Sequence, residues 1–292
     1  MARRLLYTAE MRDGQIHKLL GYAGICLCLA MCAAVSSGRR SMRTAQVRQL
    51  RAEPQQCLPR WIFIPDVPNM RDMGGWPVAG GRRVRMGMIY RSSAFDRKLK
   101  WYDFGFRPHA SAASVDFITK NLGVRTDLDL RSAKETEGMS QSPLGPSVQW
   151  INIPAAAYGA IDSPEGRSAF ASVFRVLLNV DNYPVVLHCQ FGRDRAGTVA
   201  FLLNGLLGVP TEKLADDWEL STVWFETGRY TRERCAGAIV AAMNHYAGGT
   251  FAEKVVSYVE SLGFTRAEID RFVELMTEKV DGIIAGKKGA PL

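Results

Sequence analysis

The chain has 292 residues, 47% of them hydrophobic, which is enough to bury the core of one large domain or two small ones. Its formal net charge is +8, but residues 1–60 hold ten Lys or Arg and three Asp or Glu, and the remainder is close to neutral. This distribution argues against a basic groove along a phosphate backbone, so we expect no nucleic-acid partner.

The N-terminal segment has the pattern of an export signal. An uncharged, mostly apolar run extends from Leu19 to Ser37 after a basic stretch, as in secretory signals. A lipoprotein-type leader and an uncleaved membrane anchor stay open as alternatives, and the five arginines within residues 39–51 favour the anchor. We therefore expect an exported protein, periplasmic or attached to the membrane through its N-terminus, rather than a cytoplasmic one.

Composition also suggests the domain boundaries and the role of the cysteines. After the leader only Cys57, Cys189 and Cys235 remain, which are too few for a disulfide framework and form no zinc-type cluster. A bridge between Cys57 and Cys235 stays open for an oxidising compartment, and we expect no metal and no cofactor. The sequence divides into a leader or anchor, a linker, one folded domain and a flexible tail, at residues 1–37, 38–60, 61–283 and 284–292.

Apolar segments between turn signals predict the elements of the folded domain. Gly80 and Gly81 mark the turn of a hairpin, a loop follows at residues 101–111, and a helix over 114–123 ends at Gly123. Strands are predicted at residues 88–90, 125–132, 148–154 and 183–188, and helices beginning at Ser163 and near Gly197.

The C-terminal third has helical periodicity. Thr250 with Glu253 and Thr265 with Glu268 fit capping boxes at the starts of two helices. Because strands alternate with helices earlier in the chain, we expect an α/β fold with a mainly parallel central sheet, flanking helices and a helical C-terminal third.

The segment HCQFGRDR, residues 188–195, places a cysteine at the end of a buried strand. At the carboxyl edge of a parallel sheet, a tight turn at Gly192 can point successive N–H groups inward as an anion site. A helix directly after the turn adds its positive end, and Arg195 can grip two oxygens of an anion. These surroundings favour the Cys189 thiolate. The residues therefore predict a nucleophile in an oxyanion cradle, which suits a phosphate monoester.

The loop resembles a known signature. HCx5R is similar to the signature of the cysteine-dependent protein tyrosine phosphatase superfamily, which includes the dual-specificity enzymes, and HCQFGRDRAG resembles the HCxxGKDRTG loop of bacterial tyrosine phosphatases. NMRDMGG, GMIYRSS, LDLRSAKETE and DWELS match further segments in order over about residues 65–225. The resemblance implies a single tyrosine-phosphatase-like α/β domain, no metal and a phosphocysteine intermediate. It implies phosphotyrosine protein substrates, with phosphoserine, phosphothreonine or phosphoinositides for some members.

The resemblance also implies roles for the loop residues. Cys189 would attack phosphorus, and Arg195 and the loop N–H groups would stabilise the phosphoryl oxygens. His188 would tune the thiolate by supporting the loop, with a plain structural role as the alternative, and Arg193 stands where the family often has Lys. The other residues of the implied phosphate-binding loop are Gln190, Phe191, Gly192, Ala196 and Gly197.

Three carboxyl groups are candidates for the general acid that protonates the leaving oxygen. Asp194 lies within the loop, Asp129 lies at a strand end, and Asp162 lies on a loop 27 residues before the cysteine. An alternative role for Asp129 is an ordinary ion pair with Arg131 or Arg195.

Outside the loop, Arg71, Asp72 and Arg91 are expected to form structural pairs or to shape the floor of the site. Ala196 departs from the family pattern, which has Ser or Thr after the loop arginine to assist departure of the thiolate. Slow hydrolysis of the intermediate would follow. An alternative function is therefore a phosphatase-fold module that binds phosphorylated ligands with negligible turnover. Sulfur transfer of the rhodanese type is a third, against which the outer motifs argue.

Overall fold

A computed structural model describes residues 60–64, 66–96, 109–221 and 231–280. The predicted leader, most of the linker, the tail, Cys57 and most of the predicted loop at 101–111 lie outside the described residues. Within the described part of the chain, no helix combines the length and the apolar character that a membrane span requires.

The central sheet has five strands and confirms the predicted mainly parallel α/β architecture. Strands β4, β7, β5 and β6 run parallel in that spatial order, and β1 pairs antiparallel with β4 at one edge. The described strands in chain order are β1 Arg71–Asp72, β2 Pro77–Val78, β3 Arg82–Val84, β4 Ile89–Ser92, β5 Thr126–Asp129, β6 Gln149–Asn152, β7 Val185–His188 and β8 Thr277–Lys279.

The helices follow the predicted pattern, and both predicted capping boxes are present. Helix α3 begins at Arg195, two residues before the predicted start, which places this arginine in the first turn. The described α-helices are α1 Ala112–Asp116, α2 Pro164–Leu177, α3 Arg195–Leu206, α4 Thr211–Leu220, α5 Arg232–Met243, α6 Phe251–Ser261 and α7 Arg266–Met276. A π-helical turn at Phe117–Asn121 continues α1, and 3-10 turns lie at Tyr158–Asp162 and Val180–Asn182.

One element of the C-terminal third differs from the prediction. Residues Thr277–Lys279 form strand β8 directly after α7 and pair antiparallel with β3 of the predicted hairpin. A strand of three residues has no periodicity of its own. Its conformation is set by pairing with β3, where Glu278 lies opposite Arg83, 195 residues earlier in the chain, so sequence reasoning missed it.

The alternation of β7 divides its side chains between two hydrophobic clusters. Val185 and Leu187 pack in the larger cluster with α2 and α3, and Val186 packs in the second cluster with Ile118. Because β7 lies between β4 and β5, it is buried on both faces. Cys189 continues this alternation on the side of the larger cluster, at the carboxyl edge of the sheet.

Candidate active site

The candidate site is the loop of residues 189–195, here called the Cys loop, between β7 and α3. Cys189 directly follows β7 and is only 2% exposed. Gly192 has φ +66, and a Cβ atom there would lie 2.2 Å from the Ser92 carbonyl oxygen. Both the left-handed backbone and the close approach to β4 therefore require glycine at this turn.

Four successive carbonyl groups of the Cys loop, those of residues 190–193, accept hydrogen bonds from outside the loop. The donors, in the same order, are the Ala94 N–H at 3.1 Å, Asn69 Nδ2 at 2.9 Å, Arg91 Nε at 2.6 Å and Arg91 Nη2 at 3.1 Å. In a trans peptide, the N–H points away from the preceding C=O. This arrangement turns the N–H groups of residues 191–194 toward the inside of the loop, as the predicted anion cradle requires.

Arg195 is held at the start of α3 by a partner that sequence reasoning missed. Its Nη1 and Nη2 donate to both carboxylate oxygens of Glu135 at 2.6 and 2.8 Å. Glu135 also accepts from the Ser132 N–H and hydroxyl, both at 2.8 Å. Burial opposes ionisation, but these donors outweigh it and lower the Glu135 pKa to about 2. The carboxylate therefore fixes the plane of the Arg195 guanidinium.

His188 is fully buried beside two carboxylates. Its Nε2 lies 2.9 Å from Asp127 Oδ1 and 3.9 Å from Asp129 Oδ2, and its Nδ1 lies 3.2 Å from the Cys189 carbonyl oxygen. Burial opposes protonation, but the charges of Asp129 and Asp127 outweigh it and raise the His188 pKa to about 9. A protonated imidazole at neutral pH therefore adjoins the cysteine.

Asp129 forms an ion pair in the interior. Its two oxygens accept from Arg131 Nε and Nη2 at 2.9 and 2.8 Å, and both side chains are fully buried. Burial raises the Asp129 pKa, but the charges of His188 and Arg131 prevail and lower it below its usual range. This is the ion-pair alternative for Asp129, with Arg131 as the partner.

The other two candidate acids each accept a tyrosine hydroxyl. Asp162 ends the 3-10 turn, accepts from Tyr246 and lies 3.6 Å from Arg167 Nη1. Asp194 directly precedes α3 and accepts from Tyr158, with Arg193 Nε at 3.3 Å. Of these two carboxyl groups, only Asp194 belongs to the Cys loop.

A cluster of arginines supports the Cys loop from the side of β1 and β4. The buried Asp217 on α4 pairs with Arg60 and Arg71 at 3.2 Å and with Arg91 at 2.8 Å. Burial opposes ionisation, but the arginine charges hold the Asp217 pKa well below its usual range. The structure thus confirms structural pairing for Arg71 and Arg91. Asp217 stood in the motif DWELS, but nothing in the sequence indicated that three arginines meet there.

Asp72, which the sequence analysis grouped with Arg71 and Arg91, accepts hydrogen bonds from two backbone groups. Its carboxylate accepts from the Gly74 N–H at 2.7 Å and from the Gly87 N–H at 2.6 Å. It therefore organises the turns on either side of the β2–β3 hairpin.

Comparison with known proteins places the chain in a family. The sequence model described as the tyrosine phosphatase family matches residues 62–284. The chain belongs to the tyrosine phosphatase family.

Relatives in this family are similar over part of their length. A protein of Cupriavidus necator that is named as a tyrosine-protein phosphatase is 29% identical over 181 residues, which are 52% of this chain and 60% of that protein. A tyrosine-protein phosphatase of Nostoc commune is 24% identical over 208 residues, 51% of this chain and 65% of that protein. The chain therefore spans less than two thirds of these relatives. The crystal structure of P. aeruginosa TpbA with phosphotyrosine is 18% identical, with a TM-score of 0.36 over 63% of this chain and 91% of that chain.

Ala196 has no hydroxyl, and the next side-chain hydroxyl along α3 is that of Thr198. The Thr198 hydroxyl is buried, donates to the Asp194 carbonyl oxygen at 2.9 Å and accepts from the Tyr158 N–H at 3.0 Å. The Thr198 hydroxyl is thus already hydrogen-bonded to two backbone groups, the Asp194 carbonyl and the Tyr158 N–H. At the intervening Gly197, a Cβ would lie 2.7 Å from Arg91 Nη2 and 3.0 Å from Trp218 Cδ1, so any larger residue would have to displace these buried side chains.

Proposed function

We propose that this protein hydrolyses phosphate monoesters through a phosphocysteine intermediate. The observation that carries the proposal is the Cys loop itself: its carbonyls at residues 190–193 are held outward, and Glu135 fixes Arg195 beside it. Donors that are fixed before the reaction stabilise developing charge without reorganisation. Membership of the tyrosine phosphatase family supports the same reaction class.

In the first step, the Cys189 thiolate attacks phosphorus in line. The bond between phosphorus and the leaving oxygen breaks, and that oxygen takes a proton from Asp194. Arg195 and the loop N–H groups bind the other phosphoryl oxygens. We assign the acid role to Asp194 because it lies in the Cys loop, whereas Asp129 is fully buried in an ion pair with Arg131.

In the second step, water attacks phosphorus, the bond between sulfur and phosphorus breaks, and Asp194 accepts the proton of the water. Inorganic phosphate and the Cys189 thiolate are the products. Because Ala196 has no hydroxyl and the Thr198 hydroxyl is committed, nothing at these two positions assists the departing thiolate. We expect this second step to limit turnover.

The proposed substrates are phosphotyrosine proteins, with phosphoinositides as the alternative. Family membership supports phosphotyrosine. Arg193 keeps a cation in the loop, which would favour a substrate with more than one phosphate group.

The test is hydrolysis of p-nitrophenyl phosphate by the full chain in reducing buffer with EDTA, beside Cys189→Ser and Ala196→Thr. We expect metal-independent turnover that disappears in Cys189→Ser, with an unchanged circular dichroism spectrum as the control for folding. Turnover that persists in Cys189→Ser would refute the proposal. Rates on phosphotyrosine peptides and on phosphoinositide vesicles then separate the two substrate classes.

A second candidate is a binding module that captures phosphorylated ligands with negligible turnover, which the Ala196 and Thr198 geometry favours. A burst of one equivalent of nitrophenol without steady turnover, together with phosphocysteine in the mass spectrum, would support it. Faster steady turnover in Ala196→Thr would locate the block in the second step. Sulfur transfer has no support in the family to which the chain belongs.

We further propose that residues 1–37 direct export or anchor the chain in a membrane. The apolar run and the basic residues around it support this proposal. Fractionation of cells that express the full chain with a C-terminal tag tests it, and recovery of the uncleaved chain in the cytosol alone would contradict it.

A further inference from the structure

Only two described residues other than glycine have a left-handed backbone, and both contact the Cys loop. Asn69, at φ 64, donates to the Phe191 carbonyl oxygen. Tyr158, at φ 56, donates its hydroxyl to Asp194 Oδ1. Asparagine adopts this conformation readily, but a bulky aromatic residue does so at a cost that its surroundings must offset.

Three further contacts hold Tyr158 in this conformation. Its N–H donates to the Thr198 hydroxyl at 3.0 Å, and that hydroxyl donates to the Asp194 carbonyl oxygen at 2.9 Å. Its ring packs edge-on against the buried Trp218, with 6.3 Å between centroids. Cys235 on α5 lies beside the hydroxyl. Tyr158 therefore contacts the side chain of Asp194 directly and is linked to its backbone through the Thr198 hydroxyl.

The contacts on the Asp194 carboxyl group are one-sided. The Tyr158 hydroxyl and Arg193 Nε both approach Oδ1. Among the described residues, no hydrogen bond or ion pair reaches Oδ2. One oxygen is thus anchored, and the other is available to carry the proton that a leaving group takes.

We propose that Tyr158 is a positioning residue: its hydroxyl holds the Asp194 carboxyl group as the general acid and stabilises the carboxylate that proton donation leaves. This inference rests on the proposed phosphatase function. A hydrogen bond to a carboxylate is stronger than one to a neutral carboxyl group. The contact therefore strengthens as the proton moves to the leaving oxygen, which lowers the barrier of the first step.

The test compares two phosphate esters whose leaving groups differ in how strongly their departure depends on protonation by the general acid. Phenyl phosphate has a poor leaving group, of pKa about 10 like tyrosine, whereas p-nitrophenyl phosphate has a better one. The readout is the ratio of kcat/KM for the two esters with the full chain. This ratio reports the first step, so slow hydrolysis of phosphocysteine does not affect it.

Tyr158→Phe keeps the ring against Trp218 and removes only the hydroxyl. We expect the p-nitrophenyl to phenyl ratio to rise about tenfold, as for loss of one hydrogen bond to a charged group. In an Asp194→Asn background the same change should leave the ratio unaltered, because no acid remains to be positioned. A purely structural role would lower both kcat/KM values equally.

Tyr246→Phe is the matched control, because Tyr246 donates to Asp162 in the same way. We expect its ratio to equal that of the wild type. An unchanged ratio in Tyr158→Phe, with measurable turnover of both esters, overturns the inference and leaves the phosphatase function intact. A raised ratio in Tyr246→Phe alone would also overturn it and assign the acid to Asp162. If the wild type cleaves neither ester, the proposed function fails and this inference fails with it.

Discussion

Two buried polar clusters support the Cys loop, and their charge balances are opposite. In the arginine cluster, three guanidinium groups share one carboxylate: Arg60, Arg71 and Arg91 with Asp217. In the acidic cluster, three carboxylates share two cations: Asp96, Asp127 and Asp129 with Arg131 and His188. One cluster thus has an excess of donors, and the other has an excess of acceptors.

Each excess acts on the loop in a different way. In the arginine cluster, Arg91 has donors left over for the carbonyl groups of Gly192 and Arg193, which sets the backbone of the cradle. In the acidic cluster, Asp127 and Asp129 keep His188 protonated next to Cys189. The first cluster therefore determines geometry and the second determines charge. Variants that remove one member at a time can separate these two contributions.

The largest expected effect is that of Asp217→Asn. Without its carboxylate, three buried guanidinium groups lose their shared counterion, and we expect the free energy of unfolding to fall by about 3–5 kcal/mol. Urea denaturation measures this change. Asp216→Asn is the control, because Asp216 pairs with the more exposed Arg232 and Lys213 and should cost less than about 1 kcal/mol. Equal losses in the two variants would show that Asp217 does not organise the cluster.

The acidic cluster should make the free energy of unfolding depend on pH through His188. The folded-state pKa of His188 is about 9, above its ordinary value of about 6.5. The stabilisation is therefore fully present below pH 6.5 and is lost as pH rises through 9. We expect the free energy of unfolding to fall by on the order of 3 kcal/mol over this window. In His188→Gln this slope should disappear, and parallel curves for wild type and variant would contradict the assignment.

The two clusters also show what sequence reasoning could and could not predict. The Cys loop was predictable because its strand, turn, arginine and helix lie within one continuous segment, residues 185–206. Asp217 was not, because its partner Arg91 lies 126 residues away. Glu135 meets Arg195 across 60 residues in the same manner. The residues of the Cys loop are neighbours in the sequence and can be recognised there. The side chains that hold the loop are distant in the sequence and meet only because of the order of the strands in the sheet.

Backbone conformation imposes a second limit. A glycine at a tight turn, such as Gly192, can be predicted from the sequence. No local sequence signal predicts that a tyrosine such as Tyr158 has a left-handed backbone conformation. Its conformation follows from contacts with α3 and α4 that exist only in the folded chain. The short strand β8 was missed for the same reason.

Glu135→Gln should affect phosphate binding more than stability. The neutral amide keeps one acceptor for Arg195 but loses the paired geometry and the charge, so the guanidinium is less well fixed. We expect kcat/KM for p-nitrophenyl phosphate to fall about tenfold, equivalent to about 1.4 kcal/mol, with weaker inhibition by inorganic phosphate. Glu165→Gln, at an exposed position on α2, is the control. A reduced kcat with unchanged phosphate inhibition would argue against a binding role.

The smallest effects concern two buried serines, one in each cluster, and they test the comparison directly. In the arginine cluster the Ser221 hydroxyl oxygen accepts from Arg71, Arg91 and Asn69 at 3.1–3.3 Å. In the acidic cluster the Ser142 hydroxyl donates to Asp127 at 2.6 Å. Each serine thus supplies the hydrogen-bonding function that its cluster lacks.

Alanine at either serine should lower the free energy of unfolding by about 1 kcal/mol, because a buried polar partner is left unsatisfied. The consequences for the loop should differ. Ser221→Ala leaves the arginine donors free to shift and should weaken phosphate binding. Ser142→Ala should leave phosphate binding unchanged and, besides its cost in stability, should alter the pH dependence of unfolding near pH 9. Ser172→Ala, on the exposed side of α2, controls for the substitution itself. If both variants changed phosphate binding equally, the division between a cluster that sets geometry and a cluster that sets charge would be wrong.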